Sequence, residues 1–542
     1  MITCVARNRR GRVGVAIVGL AALVGAITLA TVRPAPAQAP TRGGTLKINY
    51  LEPVTLNSAI VSGTTAGVYG AQLFAGLVQL DERFTPRPYL AERWDVSNDG
   101  RTYTFHLVRD ATFHDGKPVT SADVKFSIET SKAVHPFGLA MFRYLEAIDT
   151  PNAQTVVLKL SKPYPALMRT VVPLLVPILP KHVYEEGDIK KNPANRKPVG
   201  SGPFKFADWQ QGRFIVFERY ENFFRKGRPY LDRIVYEFIP DPATRVAAME
   251  TGSIHLIPFS YVPFVDARRL EKHPNVALST KGYEGYGSIN QVFMNLRNPH
   301  LKELKVRQAI AHVLNKDFIA KELLIGFGKP ATGPLVSPNP FYTAQVPRYD
   351  YSLDKANQLL DEAGFRRGPD GVRFKLNHEL LAAFPDIIKT VAEYMKEQLR
   401  AVGIDMVMRA SPDFPTYVSR VSNWEFDLTT DFLSNYPDPV IGLDRTYLSS
   451  NIKKGVAYSN VTGYTNAEVD RLLAEAQSEQ NVDKRKRLYQ RVQEILVTDL
   501  PIVWINEIQF ATLYSKDLAG LPTGVLGLLD PLDGVYWTKM PR

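Results

Sequence analysis

The chain has 542 residues, of which 45% are hydrophobic and 22% charged, and a formal net charge of +11. This length exceeds one hydrophobic core, so we expect at least two domains, and the composition is that of an ordinary soluble globular protein without low-complexity segments. The single cysteine, Cys4, excludes a disulfide framework and a thiolate metal site in the rest of the chain.

Residues 1–39 have the pattern of an export signal. Four arginines precede an apolar run from Val13 to Val32. Two tripeptides after it, Ala35-Pro36-Ala37 and Ala37-Gln38-Ala39, satisfy the small-x-small rule of signal peptidase. We predict cleavage near Ala37 to Ala39 and favour Ala37, because cleavage after Ala39 would leave a proline first. An uncleaved membrane anchor is the alternative, since the apolar run nearly has the length of a bilayer span.

The positive charge is smaller in the exported chain. Residues 1–39 contain five arginines and no acidic residue, so their removal lowers the formal charge from +11 to +6. The remaining basic clusters, such as Lys484–Arg487, are scattered among acidic residues and indicate solvated surfaces. We therefore expect no nucleic-acid partner.

The predicted elements begin with a strand in Gly43–Tyr50 and a helical pattern in Val68–Leu80. Further on, Asp99-Gly100 predicts a hairpin turn because both residues tolerate positive φ. The segment after it, Thr102–Leu107, alternates between polar and apolar residues, as a strand with one buried face does. A second tight turn is predicted at Asp115-Gly116.

A helix follows that turn, because Thr120 and Asp123 form a capping box ahead of apolar residues with helical spacing. The block that contains these elements resembles a signature of the family 5 extracellular solute-binding proteins, the receptors of bacterial ABC importers. The resemblance rests on three segments, Leu90–Trp94, Asp99–Leu107 and Phe113–Val124. It implies an α/β fold of the type II periplasmic-binding-protein class, with two lobes, an extra subdomain and a hinge made of strand crossings.

The middle of the chain continues the resemblance. Val199–Phe204 resembles the return crossing of that family into its larger lobe, and its glycines suit backbone turning rather than a phosphate loop, because no Gly-Lys-Ser/Thr follows. Asp241 begins a helix that Gly252 ends. Strands are predicted at Thr155–Leu160, Phe214–Phe217, Ile234–Phe238 and Gly252–Ile257.

The second half of the chain alternates helices and strands, which is typical of an α/β lobe. One crossing between the lobes is predicted in Gly287–Asn295, and the chain is predicted to return to the first lobe from Phe510. The predicted helices are Val306–Lys316, Leu353–Ala363, Ile387–Ala401 and Glu468–Val497, and the predicted strands are Gly403–Met408, Trp424–Leu428 and Pro501–Ile505.

These segments divide the chain into predicted domains. Residues 40–67, 199–287 and 511–542 form lobe I, residues 68–198 form its extra subdomain, and residues 288–510 form lobe II. Because ligands favour clefts between domains, we expect the binding site between the two lobes.

The sequence shows no constellation of catalytic or metal-binding residues. His378-Glu379 begins like a zinc-protease helix but lacks the second histidine, and Ser201 lacks the first glycine of a nucleophile elbow. We therefore predict a protein that is not an enzyme and that has no catalytic residue, metal or cofactor. The alternatives are a secreted hydrolase on the same scaffold and a sensor or chaperone receptor that delivers nothing to a permease.

The best-placed candidate for ligand binding is Thr429–Pro439, predicted as a polar loop after a strand. In peptide-binding members of the family an acid in this region holds the α-amino group of the ligand. The residue here is Asn435, whose amide cannot neutralise an ammonium, so Asp431 or Asp438 takes the role if the loop runs differently. We expect Asp438→Ala to weaken ligand capture without unfolding the protein. The alternative to a ligand-binding role for this loop is a structural turn around a buried Tyr436.

The complete set of predicted contacts adds a residue of the early loop and several aromatic wall residues, since ligand pockets combine aromatics with a few placed polar groups. The predicted ligand-binding residues are Asn57, Tyr286, Phe293, Trp424, Phe432, Asn435, Tyr436 and Asp438. The resemblance implies a periplasmic, monomeric protein that captures a peptide-like or other small solute and delivers it to an ABC permease.

Overall fold

The computed structural model describes residues 40–381 and 386–541. The predicted export signal and its cleavage region lie outside the described residues. From Pro40 onwards the chain forms one compact unit. No helix in the described part has the length and apolar character needed to cross a membrane.

A seven-stranded sheet is built from segments that are far apart in the sequence. The first strand, Thr45–Asn49, pairs in parallel with Arg233–Glu237 and with Leu256–Ile257. Across the sheet the strands are Val276–Ser279, Thr512–Ser515, Leu256–Ile257, Thr45–Asn49, Arg233–Glu237, Phe214–Arg219 and Phe204–Gln210. The helices of these segments are Thr64–Leu73, Pro242–Thr251 and Phe264–Glu271.

The extra segment contains the predicted hairpin and capped helix. Ala91–Val96 and Thr102–Leu107 pair in an antiparallel manner across Gly100, which has a φ of 63°. Thr120 and Asp123 form the predicted capping box, because the Thr120 N–H donates to the Asp123 carboxylate at 2.9 Å. The four-stranded sheet has the order Ala91–Val96, Thr102–Leu107, Thr155–Leu160 and Leu145–Asn152, and the helices are Ser121–Val134, Gly138–Met141, Leu167–Thr170 and Lys181–Tyr184.

A six-stranded mixed sheet is formed by the second half of the chain. Its strands, in order, are Gly328–Pro330, Ile502–Ile508, Ser288–Met294, Leu428–Ser434, Phe374–Leu381 and Ile404–Ser411. Its helices are Pro299–Lys302, Leu304–His312, Lys316–Phe318, Leu353–Glu362, Asp386–Ala401, Phe414–Ser422, Pro439–Tyr447, Ala467–Ser478 and Val482–Asp499. Two short pairs of strands complete the fold, Val78–Leu80 with Pro86–Pro88 and Leu518–Ala519 with Tyr536–Trp537.

Two large hydrophobic cores hold these sheets. One core joins the seven-stranded sheet to the extra four-stranded sheet, and the other belongs to the six-stranded sheet and its helices. The chain passes between the two sheets near Gly287, just before Ser288–Met294, and again between Ile508 and Thr512. This arrangement confirms the predicted α/β fold with two lobes, an extra subdomain and strand crossings, whereas the exact lobe boundaries stay a prediction.

The glycines of Val199–Phe204 serve close backbone packing. A Cβ at Gly200 would lie 1.9 Å from the Leu73 carbonyl oxygen, and a Cβ at Gly202 would lie 2.4 Å from the Gln72 carbonyl oxygen. Only glycine allows this approach. The segment then leads into the strand Phe204–Gln210.

Four predicted elements differ from the structure. The predicted strand Gly252–Ile257 is a strand only at Leu256–Ile257. The helical pattern in Val68–Leu80 is a helix to Leu73 and then a strand from Val78, and the pattern in Glu468–Val497 is two helices, because Asn481 caps a new one. The predicted strand Trp424–Leu428 is wrong. The strand is Leu428–Ser434, whose polar residues were predicted as a loop; it lies between two other strands of the sheet.

Candidate functional site

A cavity of about 800 Å³ lies between the seven-stranded and six-stranded sheets. Its volume falls within the range that small-ligand sites occupy. Residues of both lobes line it, such as Tyr50 and Arg245 from the first and Asp431 and Arg445 from the second. Among the described residues, eleven aromatic side chains contribute to the wall: Tyr50, Phe137, Phe259, Tyr261, Phe264, Tyr286, Phe414, Phe432, Tyr436, Tyr458 and Phe510.

Backbone strain is concentrated around this cavity. Eight non-glycine residues in the described ranges have a positive φ, and five of them line the cavity: Phe259, Ser260, Ile325, Tyr436 and Tyr458. Such conformations cost about 1–3 kcal/mol each and persist where the surrounding structure fixes them, which is often at ligand sites. The strain therefore marks this cavity as the candidate site independently of its volume.

Asp431 is the carboxylate of the cavity wall. It lies inside the strand Leu428–Ser434 opposite Gln291, and its Oδ1 accepts a hydrogen bond from the Phe432 N–H at 2.7 Å. Burial raises the pKa of Asp431 to about 6, although this N–H, Tyr417 and the charge of Arg445 favour the ionised form. A cation in close contact would lower the pKa of this carboxyl group, so the raised pKa indicates that Asp431 has no such contact.

Arg445 is the cation nearest to that carboxylate. Its Nη2 donates to the Ser434 carbonyl at 2.9 Å, and its guanidinium lies 4.6 Å from the centre of the Phe137 ring and 5.6 Å from that of Tyr458. Burial lowers the pKa of Arg445, but an arginine remains charged in a protein. Within the described ranges Arg445 forms no ion pair, so both charges of this wall are available to a ligand.

A second arginine lies on the opposite wall. Arg245 stacks on Tyr261 at 3.8 Å, and its Nη1 donates to the Tyr261 carbonyl at 2.7 Å. No carboxylate of the described chain lies within ion-pair distance of it, and burial lowers its pKa. Among the described residues, the cavity wall thus has one carboxylate and two guanidinium groups beside its aromatic side chains.

Three of the predicted ligand-binding residues line the cavity, namely Tyr286, Phe432 and Tyr436. The rings of Tyr286 and Tyr436 meet edge to face with centroids 5.4 Å apart. Phe293 lines a smaller cavity beside the main one. Trp424 lines neither, since its ring packs under the Arg297 guanidinium at 3.6 Å.

The two predicted amides lie away from the cavity. Asn57 donates to the side chain of Asn195 at 3.0 Å and accepts from the Ala59 N–H, so it fixes a loop. Asn435 donates to the Pro334 carbonyl at 2.7 Å and accepts from the Val336 N–H. Each side chain thus both donates and accepts a hydrogen bond within the protein.

Asp438 is buried in an ion cluster rather than exposed to the cavity. Arg485 binds both of its carboxylate oxygens, at 2.7 and 2.8 Å, and Arg169 lies 3.5 Å from one of them. It also caps the helix Pro439–Tyr447 by accepting from the Val440 N–H. Burial alone would raise the pKa of Asp438, but the Arg485 and Arg169 charges outweigh it and hold the pKa below its usual value.

The sequence interpretation did not include Arg245 and Arg445, and it named Asp431 only as a substitute. No local pattern identifies the two arginines, because each lies within a short helix whose sequence carries no binding motif. His378, part of the incomplete zinc motif, is buried and bonded to Thr430. Among residues 40–381 and 386–541 no cluster of histidine, cysteine and acidic residues has the arrangement of a metal site.

Comparisons with known proteins agree on one family. The family of bacterial extracellular solute-binding proteins, family 5, matches residues 85–454. The oligopeptide-binding protein AppA of Bacillus subtilis is 30% identical over 489 residues, which cover 86% of each chain, and heme-binding protein A of Haemophilus influenzae is 28% identical, covering 84% of this chain and 86% of that one. The structure of AppA with a nonapeptide superposes with a TM-score of 0.79 and 27% identity, covering 92% of this chain and 100% of the other.

Proposed function

Because the chain belongs to the bacterial extracellular solute-binding proteins of family 5, we propose that it is the substrate-binding protein of an ABC importer. In this role it captures a small solute between its lobes and passes it to the permease. The observation that carries the proposal is the cavity of about 800 Å³ between the two sheets, in which Asp431 and Arg445 have no ion-pair partner among residues 40–381 and 386–541.

The ligand we propose is a peptide or a peptide-like zwitterion. Asp431 offers a carboxylate to an ammonium group, and Arg445 offers a guanidinium to a carboxylate. The aromatic wall accepts side chains of varied shape, because ring faces contribute burial without demanding one hydrogen-bonding pattern. The peptide bound to the B. subtilis relative supports this class of ligand.

The proposed mechanism is non-covalent capture by closure of the lobes. The chain segments at Gly287 and between Ile508 and Thr512 are the connections about which the lobes would rotate. A ligand that contacts Arg245 on one lobe and Asp431 and Arg445 on the other stabilises the closed state more than the open one. That difference in affinity shifts the equilibrium between the two states.

The remaining parts of the proposal concern the setting of the protein. We propose export through the signal in residues 1–39 with cleavage near Ala37 to Ala39, and a monomeric periplasmic form that docks on the permease. Release of an unaltered ligand, without catalysis, belongs to the same proposal. Mass spectrometry of the secreted chain tests the cleavage site.

The test of function is direct binding by the secreted chain. Isothermal titration with a panel of di- and tripeptides should give a saturable heat, and small-angle scattering should show a more compact particle with ligand. Asp431→Asn and Arg445→Gln should each weaken binding about 10–100-fold, the value of a charged hydrogen bond, whereas Asp95→Asn on the surface should not. Recovery of a hydrolysed peptide, or equal affinity of all variants, would refute the proposal.

A further inference from the structure

A small side cavity of about 70 Å³ lies directly beside the main one in the second lobe. Four residues, Phe414, Asp431, Leu433 and Tyr458, line both cavities, so the two cavities adjoin each other at these residues, of which Asp431 carries a carboxylate. Phe414 and Tyr458 are 47% and 39% exposed. The boundary between the cavities is therefore formed by one fixed strand and two exposed side chains.

The side cavity has an apolar character in spite of its hydroxyl groups. Val418, Val421 and Val461 provide much of its wall. Its hydroxyl groups are already bonded within the protein: Ser422 to Ser419, Thr429 to Tyr417, Thr446 to Gly442, and Ser459 to Lys453 and Val456. Of the described residues that line this cavity, Asp431 alone is charged. A group that enters this space therefore gains burial and no new hydrogen bond from these hydroxyls.

The volume sets the size of that group. A dry cavity of about 150 Å³ accommodates benzene. A space of about 70 Å³ is roughly half of that, so it fits an aliphatic group of three or four carbons and excludes an aromatic ring. The side chains of valine, leucine and isoleucine have this size.

The position beside Asp431 sets the place of that group in the ligand. If the carboxylate binds an ammonium, the side cavity receives the substituent on the carbon that carries the ammonium. We infer that the side cavity is the specificity pocket for the first residue of a peptide, and that it selects a branched aliphatic side chain there. This inference rests on the proposed function, because it requires a ligand ammonium at Asp431.

Tripeptides of the form X-Ala-Ala test the inference when X is glycine, alanine, valine, leucine, phenylalanine or tryptophan. Isothermal titration of the wild-type chain should give at least about tenfold tighter binding for valine or leucine than for glycine, since each buried methylene contributes about threefold to fourfold. Tripeptides that begin with phenylalanine or tryptophan should not show this gain in affinity over Gly-Ala-Ala. Equal affinity across the series, or tightest binding of an aromatic residue, would overturn the pocket.

Two variants fill the pocket from different sides. Ala457→Leu adds three carbons from the loop at its rim, and Val418→Phe adds a ring from the helix Phe414–Ser422. Each should remove the advantage of valine and leucine and leave Gly-Ala-Ala within about twofold of its wild-type affinity. Ala133→Leu, an exposed alanine in the helix Ser121–Val134, is the matched control and should bind as the wild type does.

The outcomes separate this inference from the function on which it rests. If the tripeptides bind but the filled variants weaken all of them equally, the function stands and the pocket is wrong. If no tripeptide binds, the peptide assignment and the pocket both fail. The wild-type series alone decides the matter if neither variant folds.

Discussion

Replacing Asp438 with asparagine separates a structural carboxylate from a ligand-binding one. The side chain is fully buried and forms two hydrogen bonds to Arg485, with Arg169 at 3.5 Å. Asparagine keeps the shape and the oxygen that caps the helix Pro439–Tyr447, so the substitution removes mainly the negative charge. It leaves the buried Arg485 and the half-buried Arg169 without an ion-pair partner among the described residues.

The expected cost follows from that arrangement. Removing one partner of a buried ion pair costs about 3–5 kcal/mol, because the other charge stays buried and unpaired. We expect the free energy of unfolding of Asp438→Asn, measured by urea denaturation at pH 7, to fall by that amount. The control is Asp95→Asn, an exposed carboxylate that contacts Arg93 and His106 at the surface, for which a change of at most about 0.5 kcal/mol is expected.

The dependence on pH gives a second check. The pKa of Asp438 is lower in the folded chain than in the unfolded one, so its contribution is present above the unfolded pKa of about 3.9 and is lost as pH falls through the folded pKa. The difference between wild type and variant should therefore shrink in acid. A variant as stable as the wild type but unable to bind peptide would contradict this and make Asp438 a ligand contact.

Three further predictions concern the cavity wall. Burial raises the pKa of Asp431 to about 6 in the folded chain. Between about pH 4 and 6 the carboxyl group is therefore protonated in the folded chain and ionised in the unfolded chain. The contribution of Asp431 to stability is lost as the pH rises through that range. Asp431→Asn should therefore raise the free energy of unfolding at pH 7.5 by about 2 kcal/mol, with no gain near pH 3.5, while it weakens peptide binding. Affinity of the wild type for a peptide with a free amino group should fall up to about tenfold for each unit of pH below 6, whereas the Asp431→Asn affinity should stay flat. Asn435→Asp should lower stability by about 1–3 kcal/mol, as measured by urea denaturation, because a carboxylate cannot donate to the Pro334 carbonyl at 2.7 Å; a gain in affinity without this loss would make position 435 a ligand contact.

Local signals explain why the scaffold was predictable. The turn at Gly100, the capping box of Thr120 and Asp123, and the helix between Asp241 and Gly252 all depend on residues within a few positions of one another. Glycine and short polar side chains have conformational preferences that act in any fold. These elements were therefore predictable from the sequence and are present in the structure.

The site depends on contacts that no local pattern records. Leu428–Ser434 has the polarity of a loop, yet Thr429 and Thr430 are buried because strands lie on both sides of them. Arg445, fourteen positions after Asp431, reaches back from the helix Pro439–Tyr447 and donates to the Ser434 carbonyl at the end of that strand. The aspartate of Asp438-Pro439 resembles a ligand-binding motif, but its partners Arg169 and Arg485 are far away in the sequence.

Asp431 and Asp438 lie seven positions apart, and their opposite pKa shifts distinguish their roles. Burial acts on both carboxylates in the same direction, so the difference arises from their partners. Asp438 has two arginines, and its charge is stabilised without a ligand. Asp431 has no cation within ion-pair distance in the described chain, so an arriving ammonium would supply the stabilisation that the protein does not. A carboxylate that is already paired with arginines gains nothing from a ligand ammonium. The cations around each carboxylate, rather than its position in a motif, therefore indicate that Asp431 and not Asp438 binds the ligand.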